Sequence, residues 1–246
     1  MKVLISKKKG DYHYYKEESN QDFHCKEGFI KKEDLLNDEN KTVFTNIKRE
    51  FWMFKANKYD LTKKYKRGPQ IINAKDLGYI LARGGIDKNS KIVEAGGGSG
   101  AATSFFANFV KTVHTYEVKE AHCTIIKKNL AHMGIESGVE LFNDDLNEKI
   151  EEEKDVDLLF LDMPNCETIL EKNLDCIKSG RYIVCYVPSI TQIQKITEVV
   201  ANSTNLYLEE ISEVILRHWK VWDKVARPEH RKEIDHTAFL VFVRKN

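Results

Sequence analysis

No stretch of this chain stays apolar for long enough to cross a bilayer. Its first residues, Met1-Lys2-Val3-Leu4-Ile5-Ser6-Lys7, lack the long apolar segment of a secretory signal. A soluble cytoplasmic protein is therefore expected. Cysteine is also sparse. The five residues Cys25, Cys123, Cys166, Cys176 and Cys185 are odd in number and form no C-x-x-C pair. That argues against a zinc ribbon and against a disulfide framework. Reduced thiols are expected, with disulfides an option only if the source is a hyperthermophilic cell. Net charge is nearly absent too, at +1 over 246 residues.

That small sum hides an uneven distribution. Residues 1–66 carry 16 Lys/Arg against 11 Asp/Glu, and residues 217–246 carry 8 against 4, so the middle of the chain is acidic. Two basic ends around an acidic middle suit a polyanion gripped outside a site for a cationic cofactor, although a solvated surface of mixed charge explains the counts equally well. With 41% hydrophobic and 31% charged residues the chain is globular, long enough for one large domain with an appendage.

Residues 1–66 read as a small β-rich unit, with short strands at 2–6, 11–16, 21–25, 41–45 and 51–55, a brief turn at Asp34-Leu35-Leu36, and a polar linker from Tyr59 to Arg67. Residues 67–246 read as alternating strands and helices. Pro69 suits the first turn of a helix that Leu77, Ile80 and Leu81 continue at i, i+3, i+4 spacing, and Gly84-Gly85 stops it. Strands are expected at 91–95, 113–117, 139–142, 156–162, 181–187, 207–216 and 237–244. Helices are expected at 101–110, 120–133, 167–177 and 191–202. Strands 156–161 and 182–187 are apolar almost throughout, the mark of parallel strands buried on both faces. The alternation gives an α/β, doubly wound, seven-stranded sheet, whose last two strands lack a helix between them and should pair antiparallel at an edge.

The chemistry concentrates at strand ends. Lys91–Gly100, KIVEAGGGSG, is a strand that runs through Glu94 into a glycine turn and then a helix start. Glycine lets backbone approach a ligand and adopt positive φ. Glu117 ends the next strand, Asp145 follows the third and Asp162 ends the fourth, beside Met163-Pro164-Asn165. An open α/β sheet binds ligands along that edge. Wet loops put acids at strand ends as well, but three acids together with the glycine turn favour a nucleotide-cofactor site. The spacing Gly96-x-Gly98-x-x-Ala101 also fits a dinucleotide fingerprint.

Several segments resemble one family. Arg67–Asp76, RGPQIINAKD, is similar to the RGxQxxYPKD opening of the catalytic domain of tRNA (adenine-N1)-methyltransferases. Val93–Ala101 resembles their EAGxGSGA motif. Trp219-x-Val221, Ala226–Arg231 and Asp235–Leu240 resemble their RP-containing tail, which closes in HTAFL. Weaker similarity covers residues 1–66, around Phe23-His24-Cys25, Gly28-Phe29-Ile30 and Asp34-Leu35. Two places depart: Asn73 and Ala74 replace the Tyr-Pro of YPKD, and Cys166 replaces the second proline of a DLPxP-type loop.

The resemblance implies a Rossmann-like methyltransferase domain at 67–246, a small N-terminal β domain at 1–66, and a homotetramer. It implies S-adenosyl-L-methionine as cofactor and N1 of a tRNA T-loop adenine as target, at position 58 and in some members also 57, with neither metal nor membrane. Cofactor contacts are then expected from Gln70, Glu94, Gly96, Gly98, Ser99, Gly100, Ala101, Glu117, Asp145 and Asp162. Asp162 is the expected catalytic carboxylate. Contacts to tRNA are expected from Tyr186, Arg227, His230, Arg231 and His236. Tyr186 suits an aromatic wall or plain packing equally, and His236 an RNA contact or a strand cap. Two other readings stay open: a non-catalytic RNA-binding subunit, and a nicotinamide-dependent oxidoreductase that would use the glycine turn alone.

Overall fold

A computed structural model of the chain describes residues 1–135, 137–229 and 236–246. The backbone partitions at Tyr65, into Met1–Tyr65 and Lys66–Asn246.

The first unit contains strands β1 (Lys2–Ser6), β2 (Tyr12–Tyr15), β3 (Phe23–Cys25) and β4 (Gly28–Ile30), helix α1 (Lys32–Leu36), strands β5 (Thr42–Phe44) and β6 (Glu50–Lys55), and helix α2 (Lys58–Thr62). An antiparallel sheet has the order β2-β1-β6-β5, and β3-β4 is a separate hairpin. Alternate residues point to opposite faces. Leu4, Val43, Phe51 and Met53 therefore meet Tyr15, Ile30 and Leu35 in a small core. The expected polar linker holds α2 instead, because Asn57 and Asp60 form a reciprocal capping box that starts a helix there.

The second unit runs α3 (Ala74–Arg83), β7 (Lys91–Ala95), α4 (Ala101–Phe106), β8 (Thr112–Tyr116), α5 (Glu120–His132), β9 (Val139–Phe142), α6 (Leu146–Lys149), β10 (Val156–Leu161), α7 (Glu167–Leu170), β11 (Ile177–Val187), α8 (Ile190–Asn202), β12 (Leu206–Ser212), β13 (Trp219–Trp222), β14 (Val225–Pro228) and β15 (Phe239–Lys245). Seven strands form one sheet in the order β12-β15-β11-β10-β7-β8-β9. Five are parallel. β15 inserts antiparallel between β11 and β12, which leaves β12 at the edge. Every residue of β10 is buried. Val93, Leu159, Leu161, Ile183 and Val187 pack with Ile193, Ile196 and Val200 of α8. Their neighbours Ile92, Leu158, Phe160 and Val184 pack with Leu77 and Ile80 of α3 and with Phe106 of α4. Both faces are thus covered, as the near-continuous apolar strands require.

Several elements differ from the sequence reading: α4 ends at Phe106 rather than at 110, β11 begins at Ile177 rather than at 181, β12 ends at Ser212 rather than at 216, and α6 is additional. α3 starts at Ala74 rather than Pro69, because the Asn73 side chain accepts from the Lys75 amide (3.1 Å) and caps it there. α7 ends at Leu170 instead of reaching Ile177. Asn173 Oδ1 takes the Asp175 amide (3.1 Å) in a tight turn, and Ile177 already pairs with Val156 of β10. The hairpin β13-β14 lies between the last two expected strands, where the sequence reading assigns no element.

Candidate active site

The carboxyl ends of β7, β8, β9 and β10 open onto one cavity of about 470 Å3. The glycine turn after β7 forms its floor. The first two turn amides, Gly96 and Gly97, both donate to the Tyr116 carbonyl (3.0 and 3.2 Å), so the turn continues the β7–β8 ladder. Gly96, Gly98 and Gly100 have φ of +87°, +54° and +74°, values that side chains rarely tolerate. A Cβ at Gly97 would lie 2.5 Å from Thr115 Cγ2, and one at Gly100 would lie 3.2 Å from the Ile126 backbone. Gly96, Gly98, Ser99 and Ala101 line the cavity. Gly100 is instead pressed against Ile126 of α5, where it sets the approach of turn to helix.

Glu117, directly after β8, is buried and committed at both oxygens. Oε2 accepts from the Gly98 amide (2.9 Å) and Oε1 from the Lys119 amide (2.8 Å). His122 Nδ1 lies 3.4 Å from Oε2. The carboxylate is thereby fixed against the turn while still lining the cavity. Asp145 caps α6 by accepting from the Asn147 amide (2.9 Å), and it too lines the cavity, as does Gln70. Glu94 is fully buried beneath the turn. One of its oxygens accepts from the hydroxyls of Thr103 (2.6 Å) and Thr115 (2.9 Å). Burial pushes its carboxyl up to about 7, offset in part by the two threonines and increased by the nearby Asp162 charge.

Asp162 follows β10 on the cavity wall. Its amide donates to the Ala95 carbonyl (2.9 Å), which locks its backbone to the end of β7. Burial alone pushes its carboxyl up to about 7. Among the described residues, no side-chain or backbone donor bonds that carboxyl. It is half-buried on the cavity wall, which makes it a candidate functional group.

Sequence reasoning missed one positioning residue. Asn129, buried on α5, accepts from the Lys66 amide (2.7 Å). Its own amide group donates to the carbonyls of Lys66 (3.1 Å) and Ser99 (2.8 Å). It ties the segment before Gln70 to the glycine turn. The available signal was a polar residue on the stripe Cys123, Ile126, Asn129, whose i, i+3, i+6 spacing marks a buried helix face. A second feature lies at the start of α3. Asp76 is fully buried, with Oδ1 2.7 Å from Lys75 Nζ and Oδ2 accepting from Thr237 (2.7 Å) and Tyr186 (3.0 Å). Lys75 also donates to Thr237 (2.8 Å) and to the Val214 carbonyl.

Tyr186 is therefore buried, with its hydroxyl held by Asp76 and its ring near Phe160, and it does not line the cavity. Arg227 lies on β14 with its guanidinium 5.0 Å from the centre of the Trp222 ring. His236 is exposed. Its Nδ1 lies 2.9 Å from Glu213, which raises its affinity for a proton. Neither lines the cavity. His230 and Arg231 lie outside the described residues.

Glu94, Glu117, Asp144, Asp145 and Asp162 line the cavity against a single lysine, Lys119. Such a field suits a cation and opposes a diphosphate. A family described as "tRNA methyltransferase complex GCD14 subunit" matches residues 59–239. The chain belongs to this family. It is 33% identical over 226 residues to the tRNA (adenine(57)-N(1)/adenine(58)-N(1))-methyltransferase TrmI of Methanocaldococcus jannaschii, covering 79% of this chain and 78% of that one. It is 28% identical to the tRNA (adenine(58)-N(1))-methyltransferase TrmI of Thermus thermophilus, over 99% and 96% of the two chains. Among solved structures, tRNA (m1A58) methyltransferase TrmI of Aquifex aeolicus superposes with a TM-score of 0.84 at 26% identity, over 100% of this chain and 96% of that one. A SAM-dependent O-methyltransferase of Thermotoga maritima shares the fold, with a TM-score of 0.88 at 24% identity over 99% and 92% of the chains. The fold is that of the S-adenosylmethionine-dependent methyltransferases, as the family's glycine motif implied.

Proposed function

We propose that this chain transfers a methyl group from S-adenosyl-L-methionine to N1 of the T-loop adenine at tRNA position 58, with position 57 as a second target. The observation that carries the reading is Asp162: an unpaired carboxyl at the end of β10, on the wall of a cavity whose other charges are almost all negative. The family and the TrmI relatives supply the RNA class.

The residues present fit the cofactor. A Cβ at Gly98 would come to 3.4 Å from Pro69 Cβ, and both residues line the cavity, so glycine here leaves that space to a ligand. Gly96, Gly98 and Ser99 would hold the cofactor's amino-acid end, Glu117 its ribose hydroxyls, and Asp145 its adenine. When bound, the cofactor supplies an electrophilic methyl on a cationic sulfur. The acidic lining favours that charge, whereas a nicotinamide dinucleotide would bring a diphosphate against Glu117, Asp144 and Asp145.

Adenine N1 carries an in-plane lone pair and needs no prior deprotonation to attack. Methylation leaves the ring cationic. Asp162, ionised, stabilises that developing charge through the exocyclic amine and is placed to take a proton from it. Its locked backbone contributes alignment, since the carboxylate cannot drift from the end of β7. The target adenine has to leave its stack before it can reach this edge. Arg227 and His236 are proposed to contact the RNA.

The test is transfer of labelled methyl from S-adenosylmethionine to an unmodified tRNA transcript, followed by digestion and mass mapping. Label at the T-loop adenine supports the proposal, and its loss in a transcript carrying guanine at both positions 57 and 58 pins the site. Label on another nucleotide, or on none, overturns it. We carry the homotetramer as part of the same proposal. Light scattering should give about four times the 28.5 kDa chain mass.

A further inference from the structure

The sheet of the first unit has an outer face that the methyl-transfer chemistry does not use. Register defines it. Val3 pairs with Tyr14 on one side and Phe54 on the other, and Ile5 with Tyr12 and Trp52. Phe44 pairs with Glu50 on the same side. Residues opposite one another in a pleated sheet share a face. Their sequence neighbours Leu4, Tyr15, Val43, Phe51 and Met53 fill the core beneath.

The outer face is strongly aromatic, and those rings meet solvent. Trp52 is 45% exposed, Phe54 51%, Phe44 56% and Tyr12 61%. So many exposed rings on one small sheet call for a partner. Cations sit among them. Lys7 Nζ, which also pairs with the Glu50 carboxylate on this face, lies 5.2 Å from the centre of the Trp52 ring, and Lys64 Nζ 4.9 Å from that of Tyr14. Lys63 lies 4.3 Å from the ring of Tyr59, on α2. Residues 1–66 carry 16 Lys/Arg against 11 Asp/Glu. Rings that offer flat faces, interleaved with ammonium groups, match a single nucleic-acid strand, whose bases stack while its phosphates need cations. A second copy of the same face would bring lysine against lysine.

We propose that this outer face binds unpaired nucleotides of the RNA substrate, with Trp52 and Phe54 stacking on bases and Lys7 and Lys64 meeting phosphates. The inference rests on the RNA methyltransferase reading and adds a second contact surface to it. Stacking recognises bases without regard to sequence, so the surface selects for an open strand rather than for a particular base.

The test uses the full chain carrying Trp219→Phe and Trp222→Phe, which leaves Trp52 as the one indole of the three. An unstructured RNA heptamer should quench Trp52 emission, and the same heptamer annealed to its complement should not. The double substitution Trp52→Ala with Phe54→Ala should weaken heptamer binding by roughly tenfold or more. It should raise KM for tRNA with kcat retained. Trp52→Phe should keep most of the affinity and Trp52→Leu should not, since leucine packs as well but cannot stack. Heptamer binding is read without turnover, so it reports on this face even in a chain that methylates no tRNA. Absent quenching, equal affinity of the Phe and Leu variants, or a fall in molar mass of the double variant would overturn the proposal, the last by showing that the face joins copies of the chain.

Discussion

The backbone carbonyl of Asp162 occupies the place where any side chain at position 96 would have to go. Gly96 has φ of +87°, and its neighbour Ala95 accepts the Asp162 amide at 2.9 Å. The glycine turn and the candidate catalytic residue are therefore seated against each other through backbone alone.

Gly96→Ala should move the Asp162 loop. The expected result is a loss of methyl transfer of at least a hundredfold, with a stability cost of about 1–3 kcal/mol from the strained φ and the collision. Gly134→Ala is the matched control. Its φ is +64°, yet nothing lies within 4 Å of the added carbon. It should cost only about 1–2 kcal/mol and leave turnover alone. Equal activity losses in both variants would show that positive φ, rather than contact with Asp162, is what matters at position 96.

Asp162 sets a pH dependence. Its carboxyl ordinarily ionises near 3.8 and is pushed up to about 7 by burial. The ionised form is the useful one, so kcat/KM should rise with pH and level off above about 7. With the cationic cofactor bound the carboxylate is favoured, which shifts the limb of kcat to lower pH. The linkage runs in the opposite sense for stability. The fold favours the protonated acid, so Asp162 imposes no cost below pH 3.8 and an increasing one as pH climbs to about 7. Asp162→Asn should abolish the kinetic limb, lower kcat by about 10²–10⁴-fold, and flatten that part of the stability curve.

Glu94 also sits near 7 and feels the charge of Asp162, so it competes for the same limb. Glu94→Gln keeps an oxygen for Thr103 and Thr115 and should keep the limb. Glu94→Ala leaves two buried hydroxyls without their acceptor and should cost about 1–3 kcal/mol in denaturant unfolding. A limb that vanished in Glu94→Gln but persisted in Asp162→Asn would move the titration from Asp162 to Glu94.

Local pattern made much of this readable. The apolar run Val156–Leu161 announced a strand covered on both faces, and the acids at positions 117, 145 and 162 marked the edge where the cavity opens. The missing helix before the final strand announced the antiparallel pair of β12 and β15 at one edge, but the order of the remaining strands was not written in any local pattern. What stayed hidden was decided at a distance. Asn129 acts on Lys66, 63 residues away, and on Ser99, 30 residues away. No window along the chain contains both. Pro69 looked like a helix start because its ring suits one, but the side chain of Asn73 supplies the missing acceptor and places the start at Ala74. Tyr186 ends its strand as expected, yet its partner Asp76 lies 110 residues away and holds it in the core.

Asn129→Ala removes an acceptor from the Lys66 amide and donors from the Lys66 and Ser99 carbonyls. It should destabilise the chain by about 1–3 kcal/mol and weaken cofactor binding, because the segment leading from Lys66 to Gln70 and the glycine turn at Ser99 lose their common anchor. Isothermal titration with S-adenosylmethionine, alongside denaturant melts, separates the two effects. Unchanged cofactor affinity would confine Asn129 to stability.

Lys75 and Asp76 form a buried ion pair whose remaining valences go to Thr237, Tyr186 and the Val214 carbonyl. Taking two charges out of water is costly, and mutual attraction recovers the cost only when the geometry is good. Removing one partner is worse than removing both. Asp76→Ala should destabilise by about 3–5 kcal/mol by stranding the lysine ammonium, whereas Lys75→Met with Asp76→Leu should lose much less. Tyr186→Phe, which gives up one bond to Asp76, should lose about 1–3 kcal/mol. Because the network joins the start of α3 to the end of β11 and the approach to β15, its failure should also release the segment around Thr237 and His236. Hydrogen exchange at residues 237–240 should quicken in Asp76→Ala and remain slow in the double variant. Fast exchange in both would mean that the pairing of charges, and not the packing around them, fastens this segment to the sheet.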